Sequence, residues 1–267
     1  MTHPYFDLPH PVILGHRGAA GSAPENTLLS FEKALELGAH IIESDVHATS
    51  EGEAVLIHDD FVDRVSEASG RVAELSVAGI QALDAAYHWS DDGGASFPLR
   101  GKGVRIPTLE EAFAALPHAR FNLELKSGET RLAVRVLDLV RRFDREDITL
   151  LTSGEDSIMA ALRQERARAQ LRPAMGASKG EILAFVRSAL DGEAPPDDCM
   201  ALQIPPSFAG EPLVTPELIR HAHAHDVSVH VWTVNDPDEI SRLLELGADG
   251  IVTDHPERMA RLLREGA

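Results

Sequence analysis

Short apolar runs that alternate with segments of helical pattern constrain this chain more than any other feature of its sequence. The runs lie at residues 12–16, 40–46, 120–126, 148–153, 171–176, 199–204, 228–234 and 250–253. Strands buried on both faces have such continuous apolar runs, and helices alternate with them in parallel sheets. The fifth and sixth runs are short and contain few β-branched residues. The pattern predicts an α/β fold of (β/α)8 TIM-barrel type, in one domain over residues 1–267.

The predicted helices carry recognisable start signals. Thr108 with Glu111, and Asp236 with Glu239, have the spacing of an N-cap residue and the third residue of a helix. A stripe of apolar residues at helical spacing should pack against the sheet, and it includes Leu132, Val136, Leu139, Val140 and Phe143.

One stretch fits no strand–helix unit. About fifty residues separate His58 from Pro107, far more than an ordinary connection needs. We expect an insertion at approximately 60–106, after the second strand and over the C-terminal mouth of the barrel. It either shapes a substrate pocket or carries a disordered tip around residues 91–96, and the sequence leaves both interpretations open.

Charged residues cluster where the predicted strands end. Glu43 and Asp45 are two apart in one strand and share a face, as do Glu124 and Lys126 in the next. His16 ends the first run. Barrel enzymes hold their active sites at the C-terminal ends of the strands, so we expect these side chains to converge there.

The three carboxylates would repel one another unless a cation neutralised them. Oxygen ligands favour a hard ion, so the sequence predicts one divalent cation, Mg²⁺ or Ca²⁺. The alternative is a plain network of ion pairs, in which Glu124 pairs with Lys126 or with Arg17.

Histidine titrates near neutral pH, so His16 and His58 suit a general acid and a general base. Breaking a phosphodiester needs both groups, and Arg17 and Lys126 are suited to hold the phosphate oxygens. Other interpretations stay open at this point. A histidine at a strand end is often structural, Lys126 could form a Schiff base in a lyase, and the barrel could bind a phosphate ligand without turnover.

In combination these motifs resemble the glycerophosphodiester phosphodiesterase family. The matching segments span residues 13–256 and comprise His16-Arg17-Gly18, Pro24-Glu25-Asn26-Thr27, Glu43-Ser44-Asp45-Val46, His58-Asp59 with Arg64, Ile106-Pro107-Thr108-Leu109-Glu110-Glu111, Leu123-Glu124-Leu125-Lys126 and Trp232-Thr233-Val234-Asn235. The stretch after His58 departs mildly from the family pattern, because Val65-Ser66 follows Arg64. No proposed catalytic group is lost by that change.

The resemblance implies metal-dependent hydrolysis of glycerophosphodiesters to sn-glycerol 3-phosphate and an alcohol. The roles that it implies are metal ligation by Glu43, Asp45 and Glu124, acid–base catalysis by His16 and His58, substrate binding by Arg17 and Lys126, and an apolar wall at Trp232. The family mechanism is attack by a substrate hydroxyl, which forms a cyclic phosphate that water then opens. A lysophospholipase D acting on lysophospholipids is the alternative.

Composition limits the partners. The chain has 43 acidic and 25 basic residues and a formal charge of −18, which repels nucleic-acid backbones and anionic membranes. We therefore expect a small-molecule phosphodiester substrate, no nucleic acid and no stable membrane association. A lone Cys199 and an N-terminal stretch without an apolar segment favour a reducing, cytoplasmic location. The oligomeric state stays open.

Overall fold

The computed structural model describes residues 3–128 and 130–265, and strands and helices alternate along most of this chain. The strands are β1 (Val12–Gly15), β2 (Ile41–Ala48), β3 (Ala54–Leu56), β4 (Arg120–Leu125), β5 (Thr149–Thr152), β6 (Ala174–Met175), β7 (Ala201–Ile204), β8 (Ser207–Phe208), β9 (Glu211–Pro212), β10 (Ser228–Val231) and β11 (Gly250–Thr253). The helices are α1 (Leu28–Glu36), α2 (Val77–Gln81), α3 (Leu109–Ala115), α4 (Thr130–Arg142), α5 (Asp156–Ala169), α6 (Lys179–Asp191), α7 (Pro216–Ala224), α8 (Pro237–Glu245) and α9 (Pro256–Glu265).

Eight parallel strands form a nearly closed barrel in the order β6-β5-β4-β2-β1-β11-β10-β7. A backbone hydrogen bond of 3.0 Å from Met200 N to Met175 O bridges the seam between β6 and β7. Each of the predicted apolar runs overlaps one barrel strand, so the predicted TIM barrel is confirmed. The small strand β3 lies outside the barrel and pairs antiparallel with β2.

The barrel interior is apolar toward the N-terminal ends of the strands. A short 3-10 helix, Pro4–Phe6, inserts Tyr5 into this end, and Tyr5 is fully buried. The interior cluster comprises Tyr5, Val12, Leu14, Ile41, Leu150, Ala174, Ala201 and Val252. Polar side chains are therefore concentrated toward the other end of the barrel, where the strands finish.

The outer helices pack on the barrel as their patterns predict. In α4 the apolar stripe is buried against the sheet, and Phe143 packs at its edge. Helix α3 begins with a complete capping box between Thr108 and Glu111. Helix α8 begins at the predicted cap, where the Asp236 side chain accepts a 3.0 Å hydrogen bond from Glu239 N. No helix within the described ranges is both long and apolar enough to cross a bilayer.

The predicted insertion follows β2 and β3, and it shares a small apolar core with Val55 of β3 and with Ile57. The buried residues of this core are Val55, Ile57, Val62, Val72, Ile80, Ala85 and Ile106. The segment at 91–96, for which a disordered tip was one interpretation, folds around Asp92, whose carboxylate accepts hydrogen bonds from Ser90 Oγ at 2.7 Å and Ser96 N at 2.9 Å. A hydrogen bond from Ser50 N to Leu75 O, 3.0 Å, joins the insertion to the turn after β2.

Candidate active site

A cavity of about 350 Å³ opens at the C-terminal ends of the barrel strands. All of the site residues predicted from sequence line it, namely His16, Arg17, Glu43, Asp45, His58, Glu124, Lys126 and Trp232. Most of them reach it because β1, β2 and β4 are neighbours in the barrel. His58 follows β3, and Trp232 directly follows β10. The charged residues predicted at the strand ends therefore meet at one cavity.

Three carboxylates meet on one wall of the cavity. Glu43, Asp45 and Glu124 each present an oxygen within 4.8 Å of the others. Burial raises the pKa of Glu43 to about 7, and the charge of Asp45 adds to the rise. Within the described ranges no side-chain cation pairs with Glu43, which accepts a 3.0 Å hydrogen bond from Arg17 N. An all-oxygen set with an unpaired Glu43 fits a hard divalent cation.

Two cationic side chains flank the carboxylates. Lys126 Nζ lies 3.1 Å from Asp45 Oδ1 and 2.7 Å from Glu124 Oε2, and Arg17 Nε lies 3.3 Å from Asp45 Oδ2. Burial alone would raise the pKa of Asp45, but Lys126 and Arg17 together lower it below the ordinary value. The ion pair between Glu124 and Lys126 that the sequence left open is thus present, alongside the unpaired Glu43.

His16 is oriented by a carboxylate. Its Nδ1 lies 2.7 Å from Asp254 Oδ1, and Asn235 Nδ2 donates to Asp254 Oδ2 at 2.6 Å. Burial alone would lower the pKa of His16, but the hydrogen bond to Asp254 and the charge of Glu43 outweigh it and raise the pKa above the ordinary value. With Nδ1 donating to Asp254, His16 keeps Nε2 for other partners.

His58 has a carboxylate partner of its own. Nδ1 lies 2.6 Å from Asp59 Oδ1, and Arg64 Nε donates to Asp59 Oδ2 at 2.6 Å. Arg64 also donates to both oxygens of Glu25, at 2.6 and 2.8 Å, and Glu25 accepts from Arg17 at 2.9 Å. A continuous chain of charge-assisted hydrogen bonds therefore joins His58 to the phosphate-binding candidate Arg17.

Sequence reasoning assigned no role to Asp254, Asn235 or Glu25. Asp254 directly follows the last strand, so the strand-end rule that selected His16 would have selected it too. Asn26 holds Asp45 in place with a 3.0 Å hydrogen bond from Nδ2 to Oδ2. It has a φ of 55°, in the left-handed region that asparagine enters more readily than most residues.

The insertion contributes less to the cavity than its position suggested. Of the described residues that line the cavity, none lies in 60–106. Arg64 is the link, because it contacts Asp59 and Glu25 at the rim. The insertion therefore contacts the partners of His58 and Arg17 rather than the cavity itself.

Comparisons with known proteins agree with this geometry. The glycerophosphoryl diester phosphodiesterase family matches residues 16–258. A glycerophosphodiester phosphodiesterase of Caldanaerobacter subterraneus subsp. tengcongensis is 30% identical over 261 residues, which cover 96% of this chain and 98% of the relative. The human lysophospholipase D GDPD1 is 25% identical over 273 residues, covering 94% of this chain and 85% of the relative.

A solved structure extends the likeness to the fold. The crystal structure of a putative glycerophosphoryl diester phosphodiesterase from Silicibacter pomeroyi superposes with a TM-score of 0.78 at 27% sequence identity. The match covers 99% of this chain and 98% of the other. The whole barrel, including the cavity end, is therefore similar between the two proteins.

Proposed function

Because the chain belongs to the glycerophosphoryl diester phosphodiesterase family, we propose that it hydrolyses glycerophosphodiesters to sn-glycerol 3-phosphate and an alcohol. The observation that carries the proposal is one cavity lined by two histidines, three carboxylates and two cationic side chains. A Schiff-base lyase would require no carboxylate triad, and a binding-only barrel would require no pair of carboxylate-oriented histidines.

Arg17 and Lys126 bind the phosphate in this proposal. Their side chains are 17% and 22% exposed, so water screens their charges only in part. The planar guanidinium of Arg17 suits two non-bridging oxygens at once, whereas Lys126 acts as a point charge. Glu25 fixes Arg17, with 2.9 Å between Nη1 and Oε1, so the guanidinium needs little ordering when the substrate arrives.

The two histidines carry the protons. The raised pKa of His16 favours the imidazolium form, so we assign His16 as the acid of the first step. His58 takes the proton of the glycerol hydroxyl as that oxygen bonds to phosphorus. His16 gives its proton to the alcohol as the bond from phosphorus to the leaving oxygen breaks. The product is a cyclic phosphate, and the two histidines exchange roles when water opens it.

Glu43, Asp45 and Glu124 are the proposed ligands of one divalent cation, Mg²⁺ or Ca²⁺. Bound there, the ion would neutralise the developing negative charge on the phosphate. Trp232 is 44% exposed at the edge of the cavity, and we assign its ring as an apolar wall beside the substrate.

The remaining expectations belong to the same proposal. The barrel is one domain over residues 1–267, of which residues 1–2, 129 and 266–267 lie outside the described ranges. Its partner is a small-molecule phosphodiester, without nucleic acid or stable membrane association, because the chain has a net charge of −18. We propose a cytoplasmic location, and the oligomeric state stays open.

A lysophospholipase D is the second candidate. The similarity to the human protein of that name supports it, as does the exposed apolar ring at the cavity edge. Turnover of long-chain lysophospholipids above that of glycerophosphocholine would favour this candidate.

The decisive experiment is release of glycerol 3-phosphate from glycerophosphocholine by chelator-stripped protein, before and after Mg²⁺ or Ca²⁺ is added. We expect release that requires one of the ions. Release without any ion would remove the metal from the proposal, and no release under any condition would contradict the proposed function.

A further inference from the structure

Neutral polar side chains line the cavity beside the carboxylates, since Asn122 lies in register with Glu43 and Thr152 with Glu124 on neighbouring strands. Asn122 precedes Glu124 by two residues on β4, so it shares its face and lies about 6–7 Å deeper. Gln203 of β7 lies in register with His230 of the neighbouring strand β10. His230 precedes Trp232 by two residues. Both Asn122 and Gln203 line the cavity.

These amides have unused hydrogen-bonding atoms. Asn122 is 3% exposed, and its Oδ1 has no hydrogen-bond partner among the described residues. The buried Nε2 of Gln203 likewise lacks a partner there. Buried polar atoms in folded proteins nearly always have a partner, so two such atoms beside one cavity indicate that something polar binds between them and the cavity mouth.

The lack of a side chain at Gly176 allows Thr152 and Gln203 to approach each other. A Cβ at this position would collide with Thr152 Oγ1 and would stand 3.1 Å from Gln203 Oε1. Thr152 and Gln203 therefore approach each other over the backbone just after β6. Thr152 adds a hydroxyl to this polar group, and that hydroxyl donates a long hydrogen bond of 3.5 Å to Ala177 O. An amide or a hydroxyl both donates and accepts, which matches an alcohol better than a phosphate.

The cavity ends at these polar side chains, where the packed apolar interior of the barrel begins. Val252 lines the cavity and also belongs to the packed apolar interior with Leu14, Leu150 and Ala174. A long acyl chain has no path downward through this core. At the other end of the cavity, Trp232 and Lys179 are exposed, so a variable alcohol can extend there into solvent.

We propose that Asn122, Thr152 and Gln203 form a subsite for the glycerol hydroxyl farthest from the phosphate. The inference rests on the proposed function and deepens it. Lysophospholipids carry an acyl ester on that same hydroxyl, which removes its proton and adds a chain that the closed floor cannot hold. The subsite therefore selects deacylated glycerophosphodiesters, with the glycerol inward and the alcohol at the mouth.

The test compares glycerophosphocholine with propane-1,2-diol phosphocholine. The analogue lacks only the distal hydroxyl and keeps the hydroxyl next to the phosphorylated carbon, which attacks phosphorus. We expect wild-type kcat/KM to fall at least about tenfold on the analogue, because buried polar groups would be left unpaired. Equal kcat/KM on the two substrates would overturn the subsite.

Substitutions at Asn122 and Gln203 test whether these side chains cause the difference in kcat/KM between the two substrates. Gln203→Met and Asn122→Leu keep side-chain size but remove hydrogen bonding, and Gln164→Met changes an exposed residue of α5 as the matched control. We expect the first two to lose kcat/KM on glycerophosphocholine with little further loss on the analogue, and the control to match the wild type. Equal losses on both substrates would contradict the inference.

The outcomes separate this inference from the proposed function. Wild-type turnover of glycerophosphocholine without discrimination overturns the subsite alone, whereas no turnover of either substrate contradicts the proposed function and the subsite with it. The wild-type comparison decides the question even if a variant fails to fold.

Discussion

At the scale of single residues, the site consists of side chains that hold one another in place. Asp254 and Asp59 each orient a histidine, and Asn26 orients Asp45. A reacting group held this way loses little freedom in the transition state, which is where preorganisation lowers the barrier.

Asp254→Asn should change the pH dependence of turnover. Without the carboxylate, burial dominates and the pKa of His16 falls, so the imidazolium is lost at a lower pH. We expect the alkaline limb of the kcat/KM profile to move to lower pH and kcat to fall by about 10²-fold. Asp249→Asn is the matched control, because Asp249 pairs with His223 outside the cavity at 3.0 Å. An unmoved alkaline limb would show that Asp254 does not govern His16.

His16→Ala and Glu43→Ala should separate proton transfer from metal binding. The first is expected to abolish turnover while cation affinity, measured by titration calorimetry, stays near the wild-type value. The second should weaken cation affinity and turnover together, because it removes a buried member of the carboxylate triad. Near-normal kcat in His16→Ala would refute the acid–base assignment.

At the scale of elements, a buried arginine joins two strand–helix units. Arg145 is 1% exposed and follows α4, and its guanidinium donates to the carbonyls of Leu116, Pro117 and Ala119 before β4. It also lies 4.3 Å above the ring of Phe113. These contacts fix the end of α4 against the end of α3.

Arg145→Met should lower the free energy of unfolding by about 2–4 kcal/mol, because buried carbonyls lose their donors. Denaturant titration measures the change. The control is Arg142→Met, whose 46% exposed side chain makes surface ion pairs and a 5.9 Å contact over the ring of Phe143. This substitution should cost about 1 kcal/mol or less. Equal effects of the two substitutions would mean that the buried contacts add nothing.

Most barrel strands could be predicted because each is a buried apolar run. The residues at which the strands begin and end could not. The fifth run was expected at 171–176, whereas β6 covers Ala174–Met175. Pro173 lacks an N–H and cannot donate to a strand ladder, which explains the late start. The pairing of His16 with Asp254 spans 238 residues. It depends on β1 lying beside β11, and no local pattern encodes that neighbour relation.

The charged site was predictable to the extent that its residues end strands. Asn122 and Gln203 were not singled out, because neutral amides inside apolar runs look like ordinary strand residues. The insertion was located by its length, but its apolar cluster has no regular period. Neither its fold nor the lack of cavity-lining residues among the described residues of 60–106 could therefore be anticipated.

At the scale of the whole molecule, the N-terminal 3-10 helix closes the barrel opposite the cavity. Tyr5 fills the interior there, and its hydroxyl has no hydrogen-bond partner among the described residues. Tyr5→Ala should cost about 3–5 kcal/mol of unfolding free energy through the cavity it leaves.

Tyr5→Phe is the matched control, since it removes only an unpartnered buried hydroxyl and should be neutral or stabilising. Thermal unfolding of both variants gives the comparison. A strongly destabilised Tyr5→Phe would mean that the hydroxyl has a partner in solution, such as an ordered water.

The pairing of β1 with β11 has a consequence for biosynthesis. Val12 pairs in register with Gly250, so one edge of β1 has no partner until nearly the entire barrel has left the ribosome. At ordinary rates of translation this delay is roughly ten seconds or more. Throughout that interval β1 has only β2 as a neighbour, and the last strand of the barrel to be synthesised is the one that completes the pairing of the first.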